Sequence, residues 1–76
     1  MSRLRTLSWK KFEKFLLSVG CVFEREKGDH RIYSRAGLKR PIVLPRSTRL
    51  PLFIIRNNLR ILEFDNEAYL EILKRL

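Results

Sequence analysis

The sequence contains a single cysteine, Cys21, and a single histidine, His30. One cysteine cannot form an internal disulfide, and one cysteine with one histidine cannot supply the four ligands of a structural zinc site. Because Cys21 lies between Gly20 and Val22 among core-type residues, we interpret it as a small buried hydrophobe in a reducing compartment. The sequence therefore predicts a cytoplasmic protein with neither a metal nor another cofactor.

Long apolar runs are also missing from the chain. No segment approaches the ~20 consecutive apolar residues that cross a membrane. The first five residues, Met1 to Arg5, precede no apolar stretch, which argues against a secretory signal peptide. We expect no membrane association. The 76 residues predict one domain spanning residues 1–76, with a core so small that a partner or self-association would add stability.

Acidic residues are scarce over most of the chain. The formal net charge is +9, and residues 1–60 hold 15 of the 17 basic residues but 4 of the 8 acidic ones. Arginine outnumbers lysine, and a guanidinium group binds phosphate in a bidentate fork. A basic body with a mildly acidic C-terminal part favours a nucleic-acid surface on the first and protein contact on the second. Charge that serves only solubility remains the simpler alternative.

The first helix is predicted between Ser8, a favourable N-cap, and Gly20, a favourable residue just past a helix end. Its apolar residues recur at helical spacing and predict a core-facing stripe: Trp9, Phe12, Phe15, Leu16 and Val19. Short strands are predicted at residues 21–26, 30–34 and 41–45, because β-branched and aromatic residues alternate there between turn residues and prolines.

A second helix is predicted after Leu50 and Pro51, since proline is favoured in a first helical turn. Its apolar side is expected to comprise Phe53, Ile54, Ile55, Leu59 and Leu62. Asp65 is a plausible N-cap for a last helix at residues 66–76. The order α-β-β-β-α, with a short extra C-terminal helix, predicts an α+β fold. We expect a three-stranded antiparallel sheet with the helices on one face.

Four segments follow one another at specific spacings. They are Lys27-Gly28-x-His30-Arg31-x-Tyr33, then Pro41-Ile42-Val43-Leu44-Pro45, then Leu50-Pro51 entering a helix that ends Leu59-Arg60-x-Leu62, and Asp65-x-Glu67-x-Tyr69-Leu70-Glu71-x-Leu73. In order and spacing, from about Ser8 to Leu73, they resemble the HicA (YcfA-type) toxins of bacterial and archaeal type II toxin–antitoxin systems.

The resemblance implies a fold like the double-stranded-RNA-binding domain. It also implies ribosome-independent cleavage of mRNA and neutralisation by a HicB-type antitoxin, with which a hetero-oligomer would form. The active-site histidine of the family carries over to His30. The chain departs from the family at Arg46-Ser47-Thr48, where many relatives have a second histidine, and at Phe53-Ile54, where the family has Gly-Thr.

A single histidine can carry out one of the two proton transfers that RNA cleavage requires. RNA carries its own nucleophile, the 2′-hydroxyl, so a base must take its proton and an acid must protonate the leaving 5′-oxygen. An unperturbed histidine titrates near neutral pH and can do either. His30 is therefore the candidate catalytic residue, and water, Tyr33 and Lys27 are the alternatives for the second role.

Candidate RNA-binding residues flank His30 or lie on the second helix: Lys27, Gly28, Arg31, Arg46 and Arg56. The cations would stabilise and position phosphate, and glycine would let the backbone approach the substrate. Asp29 would orient the imidazole by a hydrogen bond. The basic hairpin residues Arg35, Lys39 and Arg40 are as compatible with a solvated loop as with an RNA contact.

Two functions compete with the nuclease. A non-catalytic module would bind double-stranded RNA by its A-form shape, but it would not need a histidine after Gly28. A protein-interaction domain would show no affinity for RNA at moderate salt. Taken alone, His30 is more simply an exposed residue at a strand end, because so short a motif matches by chance. The resemblance is what favours catalysis.

Overall fold

The computed structural model describes residues 4–76. Its elements are α1 (Trp9–Ser18), β1 (Val22–Lys27), β2 (His30–Ser34), β3 (Ile42–Pro45), α2 (Leu52–Leu62) and α3 (Asn66–Lys74). This order and the antiparallel sheet β1-β2-β3 confirm the predicted α+β fold. The argument against a signal peptide used residues 1–5, and residues 1–3 lie outside the described residues. Within residues 4–76, no helix is long and apolar enough to cross a membrane.

The helix ends follow the capping residues of the sequence. The Ser8 side chain accepts a hydrogen bond from the Lys11 amide at 3.3 Å, and the Asp65 carboxylate accepts one from the Ala68 amide at 2.8 Å. Each bond satisfies a backbone donor that the first turn leaves unpaired. Gly20, with φ of 94°, ends α1 in a left-handed conformation that costs glycine nothing. Pro51 is the N-cap of α2 and therefore precedes its first turn.

A tight turn at residues 28 and 29 joins β1 to β2, so that Lys27 pairs directly with His30. Gly28 has a φ of 62°, as the first position of a type II′ hairpin turn requires. An irregularity between Phe23 and Arg25 shifts the register of β1. On the other side of β2, Pro45 pairs with His30. The histidine is thus at the centre of the sheet, at the end where β2 begins.

The core lies between the inner face of the sheet and the helices. Tyr33, Ile42 and Leu44 of the sheet are fully buried, as are Phe12, Phe15 and Leu16 of α1. From α3, the Tyr69 ring meets the Phe15 ring edge-on at 4.8 Å. Cys21 is buried as predicted, and burial raises the pKa of its thiol, so the thiol remains neutral and unreactive.

The predicted apolar side of α2 is wrong at one position. Phe53 is 68 % exposed, whereas Ile55, Leu59 and Leu62 are buried. At 100° per residue, Phe53 lies about 200° around the helix from Ile55, so it cannot share the buried stripe. The position on that stripe that the prediction left out is Asn58.

Asn58 attaches α2 to the sheet. Its side chain is almost fully buried, and its Nδ2 donates a hydrogen bond to the Val43 carbonyl at 3.3 Å. The bond satisfies a backbone acceptor on β3, which is an edge strand of the sheet that residues 4–76 form. α2 therefore lies alongside β3 and forms a wall next to the sheet.

Candidate active site

His30 lies on the face of the sheet that points away from the core. Side chains alternate along a strand, so His30 and Ile32 point one way while Arg31 and Tyr33 point the other. Tyr33 is fully buried and marks the inner face. Residues directly opposite each other on neighbouring strands point to the same side of the sheet, so the cross-strand partners of His30 and Ile32 lie on the outer side as well. We call this side the outer face; its residues include Arg25, Lys27, His30, Ile32 and Val43.

The His30 side chain is oriented and accessible. It is 52 % exposed, and its Nδ1 lies 3.1 Å from Oδ1 of Asp29. A carboxylate next to Nδ1 favours the neutral tautomer that has its hydrogen on Nδ1, and this tautomer leaves the lone pair on Nε2. The Asp29 carbonyl in turn accepts a hydrogen bond from the Arg46 amide at 2.9 Å. This bond holds the turn before His30 against the segment that follows β3.

His30 lines a groove between β3 and α2, which we call the His30 groove. Its volume is about 360 Å³, and it is lined by His30, Arg40, Pro41, Val43, Pro45, Ile54, Asn57, Asn58 and Ile61. Pro45 pairs with His30, so the histidine is at one end of this groove and Arg40 is at the other. An open channel with a titratable nitrogen at one end suits a linear substrate.

Arg46 is held beside the turn by a carboxylate. Its Nε lies 2.9 Å from Oε2 of Glu26, and its side chain remains 48 % exposed. The other oxygen of Glu26 lies 3.4 Å from a terminal nitrogen of Arg31. Glu26 pairs with Arg31 in the ladder and shares its inner face, so Glu26 draws the Arg46 side chain toward that side of the turn.

The structure places Arg31 away from the outer face. Its side chain is 18 % exposed and contacts the Glu13 carboxylate at 2.9 Å. Its Nε donates to the Tyr33 hydroxyl at 3.0 Å, and this bond is the largest cause of the raised pKa of the guanidinium. The guanidinium also stacks on the Phe23 ring, 4.1 Å from its centroid. Arg31 is thus not brought together with His30, contrary to the expectation for an RNA contact.

Tyr33 is likewise separated from the histidine. Its hydroxyl donates a hydrogen bond of 2.5 Å to Glu13. Burial, reinforced by this bond, raises the pKa of Tyr33 to about 12. A fully buried, neutral phenol on the inner face cannot exchange protons with a substrate on the outer face. Lys27, which pairs with His30, shares its face instead.

The remaining predicted residues lie at the edge of the groove or beyond it. An added Cβ at Gly28 would meet no atom within 4 Å, so the space above the turn is open. Arg56 is exposed on α2 and lines a neighbouring depression of about 470 Å³ with Phe53, Ile54, Asn57 and Arg60. Within residues 4–76, no group of three or more His, Cys, Asp or Glu side chains is arranged to hold a metal ion.

Sequence reasoning missed two outer residues of this region, Arg25 and Asn57. Arg25 shares the outer face because it pairs with Ile32, and its position two residues before Lys27 was the available signal. Asn57 lines the His30 groove with Ile54 and Ile61. These three are spaced three and four residues apart, and this spacing was the available signal for a second, groove-facing stripe on α2.

A comparison with protein families gives the chain its place among known proteins. The family described as the HicA toxin of bacterial toxin–antitoxin systems matches residues 9–63, a range that runs from the start of α1 to the residue after α2. A comparison with curated proteins found no match. The matched range holds the whole sheet, the turn before His30 and both walls of the His30 groove. The chain therefore belongs to the HicA family of toxins of bacterial toxin–antitoxin systems.

Proposed function

We propose that this toxin is an mRNA interferase, an endoribonuclease that uses His30, and that a HicB-type antitoxin neutralises it. The observation that carries the proposal is the position of His30. The ring is exposed at one end of an open groove and has its Nδ1 next to the Asp29 carboxylate. In this proposal Nε2, the nitrogen away from Asp29, transfers the proton, and the chain's membership of the HicA family supports this role.

The proposed reaction needs one base, one acid and positive charge. Nε2 of His30 takes the proton of the RNA 2′-hydroxyl, and the 2′-oxygen attacks the adjacent phosphorus. The bond from phosphorus to the 5′-oxygen breaks, and the 5′-oxygen takes a proton from water or from Lys27. The products are a 2′,3′-cyclic phosphate and a 5′-hydroxyl end. We assign the acid role to Lys27 or water because Tyr33 is fully buried.

Cations near His30 would stabilise the charge that develops on the phosphate. Lys27 lies across the ladder from His30, and in this proposal Arg46, whose amide donates a hydrogen bond to the Asp29 carbonyl, contacts RNA beside the turn. Gly28 leaves space for the RNA backbone above the turn. In this proposal Arg31 acts indirectly, by holding Glu26, and Arg56 contacts RNA farther from the reacting phosphate.

The first experiment is induced expression of the wild type and of His30→Ala, with growth and total mRNA integrity as readouts. Lys74→Ala, which removes a highly exposed side chain on the helix after the matched range, is the matched control. We expect growth arrest with loss of mRNA in the wild type and the control, and neither effect in His30→Ala. Arrest by both the wild type and His30→Ala, with intact mRNA, would instead indicate a binding module that sequesters RNA.

A further inference from the structure

A second depression, which we call the loop groove, lies next to the His30 groove. The loop groove has a volume of about 520 Å³ and is lined by residues 35–40 of the β2–β3 loop and by Asn57, Arg60, Ile61, Leu62 and Glu63 of α2 and its C-cap. Arg40, Asn57 and Ile61 line both cavities. The two grooves are therefore adjacent, with these residues between them.

The length of β2 gives the distance between His30 and the loop groove. His30 begins β2 and Ser34 ends it, so the loop end of β2 is about 13 Å from His30 at ~3.3 Å per residue. The wall on the other side is α2, which reaches the His30 groove with Ile54 and the loop groove with Arg60. A ligand that touches His30 and also fills the loop groove must be an extended chain.

The loop groove carries basic charge without internal compensation. Among residues 4–76, no acidic side chain forms an ion pair with Lys39, Arg40 or Arg60. Arg35 is different, since it donates a hydrogen bond to the Val19 carbonyl at 3.1 Å. The one acidic residue of the lining is Glu63. The free guanidinium groups are thus available to a polyanion.

The loop groove also has an apolar part, formed by Leu38, Ile61 and Leu62. Arginine next to apolar surface matches a nucleotide, because the phosphate binds the guanidinium and an unpaired base covers the apolar side chains. A base can reach these side chains only if it is not paired, since α2 and the loop enclose the groove from two sides. The chemistry therefore favours single-stranded RNA over a duplex.

We propose that the loop groove binds a second nucleotide of the same RNA strand, with Arg40 and Arg60 on its phosphate. The substrate is then single-stranded RNA that extends from His30 along β3 to the β2–β3 loop. This inference rests on the proposed function and adds the path and strandedness of the substrate. A free nucleotide has the same phosphate chemistry but is too short to occupy both grooves.

The test measures equilibrium binding of a fluorescent single-stranded 12-nucleotide RNA of mixed sequence. The parent protein is His30→Ala, which prevents cleavage, and the test variant adds Arg40→Gln and Arg60→Gln. The matched control adds Lys74→Gln and Arg75→Gln, which remove the same charge from exposed residues at the end of α3. Thermal midpoints of all three proteins establish that they fold alike. Adenosine monophosphate and a 12-base-pair RNA duplex serve as competitors.

We expect the test variant to bind the RNA about tenfold more weakly than the control, because two charge-assisted contacts are lost. The slope of log affinity against log salt becomes shallower by at least ~0.7, the value for one phosphate contact on a single strand. Equal affinities of the test and control variants would overturn the inference. Competition by the mononucleotide or the duplex as effective as by the single strand would overturn it as well. The binding assay does not depend on cleavage, so a wild-type protein that fails to cleave RNA contradicts only the proposed function.

Discussion

At the scale of single residues, the pairing of Asp29 with His30 makes a prediction about catalysis. Asp29→Asn replaces the carboxylate by a neutral amide, which favours hydrogen on Nδ1 less strongly. The imidazole ring therefore turns and changes tautomer more freely. Because the contact is exposed, we expect kcat for RNA cleavage to fall by roughly tenfold, within the range for general acid–base catalysis, with little change in KM. Steady-state kinetics on a labelled RNA measure both constants. An unchanged kcat would show that Asp29 has no part in orienting His30.

The two buried tyrosines predict how stability depends on pH. Burial raises the pKa of both Tyr33 and Tyr69 to about 12, above the value near 10 of an unfolded chain. Both phenols are neutral below pH 10, so their contribution is fully present there. Between about pH 10 and 12 the unfolded chain loses these protons first, which lowers the free energy of unfolding. Thermal midpoints at pH 7 to 11.5 should therefore fall steeply only above pH 10.

Tyr69→Phe separates the two tyrosines. Within the described part of the chain, the Tyr69 hydroxyl is buried and has no hydrogen-bond partner, whereas the Tyr33 hydroxyl is bonded to Glu13. Removing an unpaired buried hydroxyl while keeping the ring does not destabilise a core. We expect Tyr69→Phe to have an unchanged or higher thermal midpoint at pH 7 and a smaller alkaline loss. A clearly lower midpoint at pH 7 would contradict this placement of the hydroxyl.

At the scale of elements, the position of α2 beside β3 depends on Asn58. Asn58→Ala leaves the Val43 carbonyl without its partner, so we expect the free energy of unfolding to drop by about 1–3 kcal/mol. Asn57→Ala, on the adjacent exposed position, is the matched control and should change it by less than ~0.5 kcal/mol. Urea unfolding measures both variants. Similar effects of the two substitutions would remove Asn58 from the attachment of α2.

Local rules predicted most of the elements, because caps and turns are encoded within a few residues. Ser8, Gly20 and Asp65 each end or begin a helix as expected, and β2 has the predicted bounds. The apolar side of α2 was harder to predict. An exposed Phe53 and a buried Asn58 run against residue-type preference, and only the neighbouring edge of β3 explains why an amide is buried there.

At the scale of the whole molecule, the sheet separates two kinds of polar residue. The inner side has Arg31, Glu13 and Tyr33 in one hydrogen-bonded cluster, and the outer side has His30 beside a groove. The sequence predicts His30 as the catalytic residue, which stays a prediction, and it grouped Arg31 with His30 because the two are adjacent in the chain. Strand alternation puts Arg31 with Tyr33, and the partners that hold it inside, Glu13 and Glu26, come from α1 and β1.

The pair of adjacent grooves along β3 could not be predicted from the sequence for a related reason. It needs α2 to lie next to β3 and the β2–β3 loop to close its far end. Arg40 and Arg60 are 20 positions apart in the chain, and no local pattern brings them to one cavity. Their nearness follows only from the packed molecule, in which both line the loop groove.

The most direct test of His30-dependent cleavage is the chemistry of the RNA ends. Purified wild-type protein and His30→Ala are incubated with single-stranded RNA, and the fragment ends are identified by mass spectrometry. Attack by the 2′-hydroxyl predicts 2′,3′-cyclic phosphate and 5′-hydroxyl ends with the wild type and no fragments with His30→Ala. Fragments with 5′-phosphate ends, or equal cleavage by the two proteins, would contradict the role of His30 as the base that activates the 2′-hydroxyl.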